Sequence, residues 1–343
     1  MTQTCYYVGM DVHKRTISFC VKTRDGELVR KGKIQSTKSA LKELVERTEQ
    51  PLTIAMEATL FSGWIYDFLK HLGQDVDVGH PYKLRAIADA KKKNDEIDAE
   101  TLADLRRTDF FPKCYMAPEE IRDLRSVLRF RNLLVRVMVK MKNSTAGMLM
   151  GAGVEYSKEK LHGKRYFNKL IDSLDDVPES LVRMLGMSRS SVEFFQDLER
   201  TLKNGLVWHP LLRERIELLM SIPGVGEITA LTWALEVGEP DRFKRVRDAV
   251  SYCGLCSALH SSAGKTRRGP ISKQRNEHLQ TILIEAAKLA PRWNPQLREV
   301  HDRELGRGDR NRATLAVARK LVAYLMAVDK SRKPFVLREE ESD

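Results

Sequence analysis

The stretch Tyr6-Tyr7-Val8-Gly9-Met10-Asp11-Val12-His13-Lys14 decides how the chain is read. Strand-forming residues lead into one carboxylate. Aspartate is a poor strand former, and a carboxylate is costly to bury unless a cation or hydrogen-bond donor meets it. Asp11 is therefore either the polar end of a strand or an inward-facing ligand, and one residue does not decide between them. Outward from this stretch, Thr16 to Lys22 alternates clearly and residues 26–34 read as a third strand after the Asp25-Gly26 turn. Ser36 or Thr37 then caps a helix with Leu41, Leu44 and Val45 apolar. A fourth strand, residues 52–59, runs into a second acid, Glu57. A helix from Ser62 to Leu72 and a short strand Val76 to Val78 follow. The expected fold is an α/β domain with a mixed sheet. If the strands that carry Asp11 and Glu57 are neighbours, both carboxylates face one crevice.

The next segment, Lys91-Lys92-Lys93-Asn94-Asp95-Glu96-Ile97-Asp98-Ala99-Glu100, takes helical spacing from Asp95. Asp95 and Asp98 then lie one turn apart on one helix face. An acid-rich first turn, favoured by the helix dipole, accounts for either residue alone. It accounts less well for two strand-end acids together with an i,i+3 pair. Two carboxylates 4 Å apart repel by roughly 4 kcal/mol at an effective dielectric near 20. Convergence of Asp11, Glu57, Asp95 and Asp98 therefore calls for a divalent cation, and hard oxygen ligands suit Mg²⁺ or Mn²⁺. Metals flanking a phosphate serve in-line displacement at phosphorus.

Further along, residues 118–150 are helical and basic, with Arg122, Arg125, Arg129, Arg131, Arg136, Lys140 and Lys142 among apolar positions. Each arginine is equally well a solvated charge or a nucleic-acid contact. A break is expected at Gly147 to Gly153, and helical character resumes over 165–205. Ser221-Ile222-Pro223-Gly224-Val225-Gly226 then turns between two helices. Gly224 and Gly226 suit close phosphate approach in a helix-hairpin-helix, or an ordinary tight turn. A helix ending at Gly254 is followed by a small, polar and basic stretch, Cys256 to Lys273, whose composition alone favours a plain loop. Helices at about Leu279–Leu289 and Arg312–Val328 close the chain, the latter with a basic face of Arg310, Arg312, Arg319 and Lys320. The acidic tail after Pro334 is expected to be disordered.

With 343 residues, two or three units are expected. A net charge of +12 suggests a polyanionic partner, nucleic acid before anionic membrane. No apolar run reaches membrane-span length, and charges at Asp11 to Lys14 argue against a signal peptide. The 5 cysteines, Cys5, Cys20, Cys114, Cys253 and Cys256, form no zinc pattern and read as reduced thiols in a cytosolic protein.

Three motifs in order, YVGMDVHK, IAMEAT and KKNDEIDAE, resemble the RuvC-like domain of the DEDD insertion-sequence transposases, insertion-sequence family one-ten, which includes the Piv-type DNA invertases. The C-terminal run GL, HSSAGKTRRGPISK and HLQTILIEAA resembles the transposase domain of the same family. The resemblance implies α/β plus all-α architecture. A RuvC-like (RNase H-like) DEDD domain would span 1–115, and a helical, possibly coiled-coil connector 116–205. A mainly helical domain with a helix-hairpin-helix would span 206–335, and a tail 336–343. It also implies a nucleophilic serine before the glycine-basic stretch. Counting forward from Gly254-Leu255 gives Ser262; counting back from Ile271-Ser272-Lys273 gives Ser261; Ser262 is taken, with Ser261 as the near alternative. Ser257 stands where family members often have proline.

The implied activity is strand cleavage and exchange on donor and target DNA through a covalent phosphoserine link, assisted by Mg²⁺ or Mn²⁺. Carboxylates and serine would come from different protomers of a homodimer or homotetramer. A structured bridge RNA would supply sequence recognition by base pairing. Lys265, Arg267, Arg268 and Lys273 would contact nucleic acid, and the protein would be cytoplasmic and nucleoid-associated. The rival readings are a RuvC-like junction nuclease that uses water, a site-specific invertase, and a nucleic-acid-binding protein without activity.

Overall fold

The structure, a computed structural model, describes residues 5–48, 51–87, 94–262, 265–271 and 274–337. Lys92, Lys93, Gly264, Ser272, Lys273 and the tail beyond 337 lie outside the described residues. The chain forms two compact units, Met1–Glu119 and Glu120–Asp343.

In the first unit, β1 (Tyr6–Val12), β2 (Thr16–Lys22) and β3 (Leu28–Gln35) form an antiparallel meander, and Gly26 takes φ +95° at its second turn. Thr37 caps α1 (Lys38–Glu46) by accepting from Ala40 N–H. β4 (Leu52–Glu57) pairs parallel with β1, α2 spans Ser62–His71, and β5 (Asp75–Gly79) pairs parallel with β4. The sheet order is β3-β2-β1-β4-β5, the expected mixed sheet. α3 (Pro81–Ile87) and α4 (Asp95–Arg107) complete the unit. Strand alternation sorts the two faces. Val8, Met10 and Val12 pack with Ile17, Phe19, Ile54 and Met56 in a core that includes Leu41 and Leu44 of α1 and Ile65 and Leu69 of α2. The other face of β1 carries Gly9 and Asp11, and it is made for close approach of α4. A Cβ on Gly9 would lie 1.9 Å from the Ala99 carbonyl oxygen and 2.5 Å from the Ala103 nitrogen.

The second unit begins with α5 (Glu119–Gly151), followed by α6 (Lys164–Asp172) and α7 (Glu179–Val207). α5 and α7 run antiparallel. Thr145 meets Ser188 at 2.7 Å and Arg131 pairs with Glu199 further along. The break expected at Gly147 to Gly153 falls late in that span: α5 runs through Gly147 and ends at Gly151. Glycine costs about 1 kcal/mol in a helix, and packing of Thr145 and Leu149 on either side outweighs it. α8 (Arg213–Met220) and α9 (Glu227–Val237) follow, with α10 (Val246–Tyr252) behind them. α9 is buried from Thr229 to Val237, which is where a helix apolar on all sides belongs. The stretch expected to be a plain loop is a two-stranded antiparallel ribbon, β6 (Ser257–Ser262) and β7 (Lys265–Ile271). Its short polar residues gave no apolar alternation to read, and cross-strand backbone bonding decides the structure. α11 (Glu277–Leu289), α12 (Pro295–Leu305) and α13 (Arg310–Ser331) complete the unit. α12 went unread despite its start signal, Asn294 accepting from Leu297 N–H with Pro295 at the first position.

Candidate active site

The register places Asp11 and Glu57 at one end of adjacent parallel strands. Met10 pairs with Met56, so the acids that follow are neighbours on the face that α4 covers. Asn94 caps α4 by accepting from Glu96 N–H, and Asp95 and Asp98 occupy the first turn. Close contact of α4 over Gly9 thus brings a helix start to a strand end.

Among the described residues, metal-type donor atoms within 4.8 Å of one another come from Asp11, Asp95 and His13. His13 Nε2 lies 3.0 Å from Asp11 Oδ2 and 3.6 Å from Asp95 Oδ1. Glu57 and Asp98 stand outside this tight group. Asp98 is close enough for its charge to act on Asp11. Burial pushes the Asp11 carboxyl above the usual range; the neighbouring His13 opposes this, and the charges of Asp95 and Asp98 add to it. Asp95 is held below its usual range, chiefly by a 3.2 Å hydrogen bond from Lys33. Lys33 reaches it along a cross-strand row, Asp11 opposite Ser18 and Ser18 opposite Lys33. Beside it, Lys31 faces Glu96 at 3.6 Å, and Lys22, nearly buried, meets Glu100 at 2.8 Å and Asp104 at 2.7 Å.

Sequence reading missed His13 and Lys33. His13 had a signal, since residues i and i+2 of an extended chain share a side and Asp11 is two residues back. Lys33 had none without the β2–β3 register. The donor set fits a divalent cation: carboxylate oxygens and one imidazole converge around Asp11, whose charge burial leaves poorly solvated.

In the second unit the ribbon places Ser262 opposite Lys265, Ser261 opposite Thr266 and His260 opposite Arg267. Its roots are held by helices. Gln280 donates to the Gly254 carbonyl at 2.6 Å and Arg319 to the Leu255 carbonyl at 2.8 Å. Asn276, just past β7, donates to Glu236 at 2.8 Å. Glu236 is 1% exposed and also takes both nitrogens of the Arg129 fork at 2.8 Å. Arg125 donates to the Leu235 carbonyl, so Arg125, Arg129 and Arg131 of the basic helix face protein groups. Arg136 and Lys140 remain exposed. At the α8–α9 turn Gly224 has φ +97°, and a Cβ there would strike Ala290 at 2.6 Å. Gly226, at the start of α9, faces open space and provides no side-chain cap.

Two family profiles match in the expected order. One, described as a DEDD transposase, covers residues 8–153 and so includes Asp11, Glu57, Asp95 and Asp98. The other, described as transposase of the IS116/IS110/IS902 family, covers residues 216–302 and includes the ribbon. The chain belongs to the IS110 family of transposases. It is an enzyme of DNA cleavage and strand transfer. The transposase is 26% identical over 332 residues to that of insertion sequence IS1328 from Yersinia enterocolitica, covering 94% of this chain and 96% of the relative. It is 25% identical over 341 residues to that of IS1111A from Coxiella burnetii, covering 94% and 88%. A putative transposase, y4qE, from Sinorhizobium fredii is 24% identical over 287 residues, covering 82% and 70%. No helix among the described residues is long and apolar enough to cross a membrane.

Proposed function

We propose that this transposase exchanges DNA strands through a covalent phosphoserine link, with Ser262 as nucleophile and Ser261 as the near alternative. The observation that carries the reading is the shared strand-end position of Asp11 and Glu57 beneath the acid-bearing start of α4. The sheet order supports an RNase H-like, RuvC-like domain for residues 1–115. Asp11, Glu57, Asp95 and Asp98, joined by His13, would hold Mg²⁺ or Mn²⁺. The bound ion supplies charge neutralisation at the phosphate. The serine Oγ forms a bond to phosphorus and the bond to one deoxyribose oxygen breaks. The serine hydroxyl gives up its proton and the departing deoxyribose oxygen takes one up to leave as a hydroxyl; one phosphodiester replaces another, so the bond energy is kept and the step is reversible. Serine needs activation for this attack, and the basic residues Lys265, Arg267, Arg268 and Lys273 suit the phosphate that it meets.

Helices α5 to α7 fit a connector over 116–205 that supports a homodimer or homotetramer. Met184, Met187, Phe194 and Leu198 recur at heptad spacing along α7 and are exposed, beside the inward seam of Leu181, Leu185, Ser188 and Val192. The open turn at Gly226 supports a helix-hairpin-helix contact to phosphate in the 206–335 domain. The net charge of +12 suits a structured bridge RNA as well as donor and target DNA.

Covalent trapping tests the nucleophile. Purified protein incubated with DNA and Mn²⁺, then denatured, gives a protein–DNA adduct that Ser262→Ala abolishes, or Ser261→Ala if the register is one residue back. Adducts that survive both substitutions refute the serine assignment. Free 5′-phosphate products without adduct support the water-using nuclease.

A further inference from the structure

Helices α10, α12 and α13 enclose an open groove of about 1210 Å³ that the chemistry above leaves unused. Its cations are Arg247, Arg303, Arg312, Arg319 and Lys320, and its acids are Glu299, Glu304 and Asp309. Two of the acids are already engaged. Glu304 faces Arg312 at 3.0 Å, Arg307 at 3.7 Å and Arg303 at 3.9 Å. Asp309 caps α13, accepting from the Asn311 and Arg312 N–H groups. Arg319 is turned to the Leu255 carbonyl at the ribbon root. Arg247 stands exposed on one rim, and Lys320 lies exposed over the Tyr324 ring at 5.2 Å. Val250, Leu315 and Ala323 line the groove with apolar surface. A cationic rim over an apolar and aromatic floor suits a strand with unstacked bases better than it suits a closed duplex. Ser257 also lines the groove and is the first residue of β6, the strand that ends at Ser262. Five residues of extended chain span about 17 Å, a short reach for a DNA strand.

We propose that this groove binds the sugar–phosphate backbone of the single DNA strand flanking the position on which the ribbon serine acts. The assignment of that position rests on the serine reading; the binding itself is tested apart from it. The test uses the full chain with Ser261→Ala and Ser262→Ala together, a fluorescein-labelled single-stranded DNA of mixed sequence, and an RNA of the same sequence, read by anisotropy across a salt series. Arg247→Glu and Lys320→Glu each weaken DNA binding and lower the salt slope by about 0.7 per lost phosphate contact. Glu299→Lys tightens binding, a gain that a folding defect does not produce. The proposal is overturned if all three variants bind DNA as the parent does, or if only RNA binding changes. Adduct trapping with the serines restored tests the serine separately: loss of the serine reading leaves the anisotropy result standing, and the reverse.

Discussion

Two carboxylates, Glu236 fully buried in the second unit and Asp11 partly so in the first, are held in opposite ways. Glu236 lies in α9 among the Arg129 fork, Arg125 and Asn276. Burial alone would raise its pKa, yet those hydrogen bonds and charges hold it below the usual range. Asp11 lies at the end of β1 with one imidazole beside it and two more acids nearby, and its pKa is raised. The fold satisfies Glu236 and leaves Asp11 in want of positive charge. A carboxylate held against its own preference in a crevice is the mark of a working site, and a satisfied one is the mark of a structural pin.

The contrast breaks first on Glu236→Ala. Removing Glu236 takes the acceptor from Asn276 at the ribbon root and from the half-exposed Arg129 fork, so the unit of residues 120–343 loses about 3 kcal/mol. Urea unfolding followed by tryptophan fluorescence measures this, since Trp208, Trp233 and Trp293 all lie in that unit. Asp11→Asn does the reverse. Cleavage falls by about 10²- to 10³-fold, as for loss of one electrostatic stabiliser, while metal-free stability holds or rises because a partly buried charge is gone. Equal destabilisation by the two substitutions would remove the distinction. Gly9→Ala comes next, at about 1–3 kcal/mol of overpacking. Backbone atoms of Ala99 and Ala103 block the new methyl, so α4 must shift and carry Asp95 away from Asp11. Mn²⁺ affinity, read by electron paramagnetic resonance, weakens along with stability.

The first unit was largely legible because its signals are local. A run of strand formers marked β1, alternation marked β2, Asp25-Gly26 marked the turn, and acids ending two strands pointed to a shared crevice. The row from Asp11 through Ser18 to Lys33 was not legible, because it exists only in the register of three strands. In the second unit the pattern was misleading for physical reasons. Serine, glycine and lysine hide a ribbon whose pairing is backbone bonding. Basic residues of α5 resemble a nucleic-acid face, yet Arg125, Arg129 and Arg131 turn to Leu235, Glu236 and Glu199. A lone glutamate near the end of the apolar run Ala230 to Val237 was the available clue that something buried and basic must meet it.

The smallest effect sharpens the comparison through pH. A carboxylate whose folded pKa is lowered stabilises the protein above its unfolded pKa, and that contribution is lost as pH falls through the folded value. Glu236 therefore adds to acid unfolding of its unit, and its share fades below the ordinary glutamate range. Glu236→Gln keeps the side-chain shape and cannot lose a charge. Its stability at neutral pH is lower than that of the parent, and the two curves converge as the pH falls below the ordinary glutamate range. Urea midpoints measured at steps from neutral to acid pH give the difference directly. A constant gap at every pH would mean that Glu236 acts by shape and hydrogen bonding alone, and that its ionisation has no part in pinning the ribbon root.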